Sequence, residues 1–119
     1  KAAHHQCACL DDGLAIGQQV AIANSLIMAA RLAHDMGDWR AAVTMRLWAK
    51  AKLGEHGHEM YDDEQLALDT ALEAATQEHG SATLTNLIES TAALTVIKAA
   101  AYAYRTFQLA TERSAAPAS

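Results

Sequence analysis

Apolar residues along this chain return every three or four positions over long stretches, the spacing that keeps one face of an α-helix dry. No segment alternates apolar and polar residues in the strand period, and no Asn-Gly turn occurs. The punctuation between the periodic stretches predicts four helices. The first covers residues 12–36, with Asp11 or Asp12 as its cap and Gly37 as the residue that ends it. The second covers 38–54, opened by Asp38 and closed by Gly54. The third covers 61–79, where Tyr61-Asp62-Asp63-Glu64-Gln65-Leu66 reads as a capping box between Asp62 and Gln65, stapled by Tyr61 and Leu66. Gly80 stops that helix, and Ser81 caps a fourth that runs through 81–113. Residues 1–11 form an N-terminal segment and 114–119 a small polar tail. The predicted fold class is all-α, a four-helix bundle-like array with long first and last helices and a shorter two-helix insert.

The two long helices carry more apolar surface than a simple bundle hides. In the last one, residues seven apart make apolar columns such as Leu87-Leu94-Ala101, Ser90-Ile97-Tyr104 and Ala93-Ala100-Phe107, leaving Thr91-Lys98-Arg105 as the clear polar stripe. The first repeats the pattern through Val20, Leu26 and Ile27. Burial in more than one direction is the consequence, and association between copies would supply it. The predicted self-association core is Val20, Leu26, Ile27, Leu87, Leu94, Ile97, Tyr104 and Phe107.

Composition narrows the picture. Hydrophobic residues are 51% of the 119 positions but aromatics only 5%, so alanine dominates and favours closely packed helices. A net charge of −5 argues against nonspecific nucleic-acid binding, which needs clustered Lys and Arg. Leu14–Ala33 has the length of a membrane span, but Gln18, Gln19, Asn24, Ser25 and Arg31 interrupt it, so no span is expected. The chain opens on Lys1 with no methionine, which points to an exported or extracellular protein, with a cytoplasmic one as the alternative.

Charge is segregated. The second helix carries Arg40, Arg46, Lys50 and Lys52, whereas the third carries Asp62, Asp63, Glu64, Asp69, Glu73 and Glu78 without a Lys or Arg. Two solvated faces are the plain account. Complementary faces, with Arg40, Arg46 and Lys50 on one copy meeting Asp62, Asp69 and Glu73 on the next, are the sharper one.

Candidate chemistry is sparse. His4, His5, Cys7 and Cys9 put four soft-metal ligands into six residues, a candidate transition-metal site without the C-x₂₋₄-C spacing of structural zinc. Glu55-His56-Gly57-His58-Glu59 lacks the helical H-E-x-x-H order of zinc proteases and reads as a polar loop. No nucleophile elbow, P-loop or dinucleotide turn is present, so no catalytic residues are assigned and no enzyme is expected. The function expected from these features is a non-enzymatic structural subunit that self-associates into a homo-oligomer or filament. A layout with a long helix at each end resembles secreted helical filament proteins in architecture alone. The alternatives are a metal- or cofactor-binding bundle using the N-terminal His and Cys residues, and an adaptor for a heterologous helical partner.

Overall fold

Alanine-rich sequence without a proline between residues 14 and 113 makes helix nearly everywhere among the described residues, and the places where it stops are set by hydrogen bonding at the ends. The computed structural model describes residues 18–115, which form five helices and no strands. They are α1 (Gln19–Asp35), α2 (Trp39–Glu55), α3 (Asp62–His79), α4 (Ser81–Ala92) and α5 (Val96–Ala115).

The α1–α2 turn follows the prediction. Gly37 takes a positive φ of 83°, which an L side chain rarely adopts, and the Asp38 N–H reaches back to the Ala33 carbonyl at 2.8 Å. Asp38 Oδ1 then accepts the Ala41 N–H at 3.1 Å, capping α2.

Other ends differ from the sequence prediction. Helix α1 starts at Gln19, since Gln18 is extended (φ −81°, ψ 94°), so the expected start at residue 12 does not hold across that position; residues 12–17 lie outside the described range. Gly54 does not close α2, which continues to Glu55; the reversal falls on Gly57 at φ 75°, with the His58 N–H bonded to the Leu53 carbonyl at 2.8 Å. The Asp62–Gln65 capping box is not formed either. Tyr61 is the cap residue, Gln65 turns along the helix to Asp69 Oδ1 at 2.9 Å, and Tyr61 and Leu66 are both widely exposed instead of stapled. Gly80, at φ 88°, both ends α3 and precedes α4, so Ser81 is inside the helix and not its cap.

The largest correction concerns the predicted helix 81–113, which is two helices. At the end of α4 the Ser90 and Thr91 hydroxyls both donate to the Leu87 carbonyl, at 2.9 and 2.8 Å, so two side chains share an acceptor of the last helical turn. Thr95 then starts a new helix, its Oγ1 accepting the Lys98 N–H at 3.2 Å. The break frees the halves to bury different faces. In α4 the buried positions are Leu84, Leu87 and Thr91; in α5 they are Ala99, Ala100, Ala103, Thr106 and Phe107. Apolar columns around most of the circumference of 84–110 are thus the sum of two amphipathic helices, each with its own solvated side.

Packing centres on α2, which touches all four other helices. Its most extensive contact is with α1, and α5 lies against both; α3 and α4 pack on each other and on α2. The core gathers Ile22, Leu26, Ala29 and Ala30 of α1 with Val43, Met45 and Trp48 of α2 and Phe107 of α5. Complete burial of Phe107 contributes about 1.5–3 kcal/mol by area alone.

Candidate functional site

Three places collect side chains with chemistry. The first joins α1, α2 and α3. Glu64 sits in the first turn of α3, where the helix dipole favours an acid, and its residue is only 3% exposed. The Arg31 Nε–H donates to Glu64 Oε1, and the Arg46 Nε–H donates to Oε2 at 3.1 Å. Arg46 is 4% exposed, so this partner is as deeply buried as the carboxylate. A charge in that position requires its counter-charge, since removing one member of such a pair costs about 3–5 kcal/mol. The predicted basic face of the second helix is corrected here: Arg46 is spent inside the same chain on an acid of the third helix, while Arg40 and Lys50 remain exposed.

The second place is a cleft of about 440 Å³ between the start of α2 and the outer side of α5. Arg40, Arg105 and Arg113 line it together with Tyr102 and Leu109. All three guanidiniums are exposed, and among the described residues none is in an ion pair. Arg40 packs over the Trp39 ring at 5.1 Å from its centroid. Asp38 is the single carboxylate in the lining, and one of its oxygens already holds the Ala41 N–H. The cleft is therefore a positive surface in a chain that is negative overall. Tyr102, Leu109 and Arg113 were not singled out by sequence, although the spacing Lys98-Tyr102-Arg105-Leu109-Arg113 marks one side of a helix.

The third place is the exposed part of α3. Asp62, Asp69 and Glu73 are exposed on its outer side, as is Leu66 at 67%, and Asp63 and Glu78 are exposed beside them. Beside Leu66 runs a groove of about 490 Å³ floored by Ala67, Ala71 and Ala74. Trp39 also lines it, stacked on His79 with ring centroids 4.5 Å apart.

The residues predicted as a self-association core divide between inside and outside. Leu26, Ile27, Leu87 and Phe107 belong to the chain's own core, and Val20, Leu94 and Tyr104 are half-buried against it. Ile97 stands out at 77% exposed, and Ile88 is exposed on α4. His4, His5, Cys7 and Cys9 lie outside the described residues. Among the described residues no group of three His, Cys, Asp or Glu side chains is placed to hold a metal, and no helix is long and apolar enough to cross a membrane. Of the Glu55–Glu59 loop, His56 Nε2 meets Gln19 Oε1 at 3.3 Å, tying the end of α2 to the start of α1. No protein-family model, curated protein or solved structure matches this chain.

Proposed function

We propose that this chain is a non-enzymatic helical subunit that associates with further copies of itself into a homo-oligomer or filament. The observation that carries the proposal is the set of large apolar side chains left outside the core on three different helices: Leu66 on α3, Ile88 on α4 and Ile97 on α5. Single exposed apolar residues are ordinary, but here three helices each leave at least one uncovered, and Leu66 stands among the acids of α3. An adaptor would use the same surfaces toward a different protein, and a metal-binding role would rest on His4, His5, Cys7 and Cys9.

Light scattering over a wide range of protein concentration tests the proposal, with negative-stain imaging of the largest species. The expected result is a mass that rises above that of one chain as concentration increases. A mass fixed at one chain throughout refutes it.

A further inference from the structure

We propose that the contact between copies joins two unlike surfaces: the acidic side of α3 in one copy lies antiparallel along the basic side of α5 in the next, in the register that sets Leu66 against Leu109. This rests on the self-association proposed above and adds which faces meet.

The two sides are built to the same spacing with opposite charge. On α3, Asp62, Leu66, Asp69 and Glu73 advance by four, three and four residues, so they fall on one side of the helix, and all are exposed. On α5, Tyr102, Arg105, Leu109 and Arg113 advance by three, four and four, again on one side and again exposed. Each side places a leucine among charges. With the helices antiparallel and Leu66 across from Leu109, Asp62 falls opposite Arg113, Asp69 within one position of Arg105, and Glu73 opposite Tyr102, whose hydroxyl can donate to a carboxylate. Antiparallel dipoles favour this direction over the parallel one. The helices match in reach as well, since α3 has 18 residues and α5 has 20, and at 1.5 Å per residue these span about 27 and 30 Å.

The surroundings of each stripe support the same occupant. Arg40 reaches the cleft from α2 and adds a third guanidinium on the basic side, while α3 has no Lys or Arg to neutralise its own acids. The three cleft arginines have no ion pair among the described residues, so a second copy's carboxylates displace only water. Asp69 accepts from Gln65 through one oxygen, and the exposed residue keeps its second oxygen for a further donor. Because the two stripes are different surfaces of one chain, a bound pair still offers one of each, and growth continues until a ring closes or a filament forms.

Charge reversal tests the pairing. Take the full chain carrying Asp62→Lys with Asp69→Lys, and a second form carrying Arg105→Glu with Arg113→Glu. All four positions are exposed, so circular dichroism should match the parent. Each form alone should associate at least about tenfold more weakly than the parent, and an equimolar mixture should recover association, because every α3–α5 contact between the two forms again joins opposite signs. Raising salt toward 1 M should weaken the parent, as screening shortens to about 3 Å. Independently of charge, and with Cys7 and Cys9 changed to Ser, mixing Leu66→Cys and Leu109→Cys chains should yield a disulfide-linked heterodimer that neither gives alone. Asp62→Cys should link to Arg113→Cys in preference to Arg105→Cys if the direction is antiparallel.

The outcomes separate. A parent chain that associates unchanged by either reversal, with no heterodimer link, overturns this contact and leaves self-association standing through another surface. A parent that stays single at every concentration overturns both. A single chain that instead binds inorganic phosphate through Arg105 and Arg113 overturns the pairing and makes the cleft a small-anion site.

Discussion

Helices α1 and α3 are almost the same length, 17 and 18 residues, yet α1 buries eight residues and α3 buries three, one of them Glu64. The hairpin of α1 and α2 with α5 across it is a dense alanine-lined core closed by Leu26, Met45 and Phe107. The α3–α4 pair is attached more thinly, through Leu68, Ala75, Leu84 and Leu87 and through the carboxylate that Arg31 and Arg46 hold. One half is held by area removed from water, and the other depends on a few side chains and an ion pair. Regions with little buried apolar surface open at lower free energy than the core, so the two halves should differ in local stability.

The sharpest way to break that contrast is in the dense half. Phe107→Ala should cost about 3–5 kcal/mol, read by urea unfolding, because a fully buried ring leaves a cavity among fixed alanine backbones. All five helices should lose protection together in hydrogen exchange. Glu64→Ala should cost about 3 kcal/mol, nearer the low end for a buried pair because Arg31 is half-exposed and can rehydrate, while Arg46 cannot. Here the loss should be local, with α3 and α4 exchanging before α1 and α2. Uniform loss of protection would show that the molecule has one cooperative unit and that the contrast is only one of burial. Replacing the pair together, as Glu64→Leu with Arg46→Met, should recover most of that stability. Thr95→Ala is the smallest test, at about 1 kcal/mol for a lost cap. It should loosen the joint between α4 and α5 and shift the urea midpoint without changing the helices on either side of it.

Much of the architecture is legible in the amino-acid order because it depends on local chemistry. The absence of proline between residues 14 and 113, the abundance of alanine and the Gly37-Asp38 signal lead directly to helices and to the α1–α2 turn. What was not legible has a common cause. A Thr can sit inside a continuing helix with its hydroxyl bonded back to a carbonyl, as Thr76, Thr106 and Thr111 do, or start one, as Thr95 does, and neighbouring residues look alike in the two cases. The same limit applied to charge. Arg46 and Arg40 are equally basic in the sequence, but one lies under α3 against Glu64 and the other lines the open cleft.

The amino-acid order by itself determined that this chain is helical, where its first turn lies, and that its third helix carries acids without a Lys or Arg. Only the tertiary structure decided which charges are consumed inside and which remain outside. Helix formation is governed by residues within four positions of each other, whereas burial of Arg46, exposure of Ile97 and the meeting of Arg40 with Arg105 and Arg113 depend on helices far apart in sequence coming together.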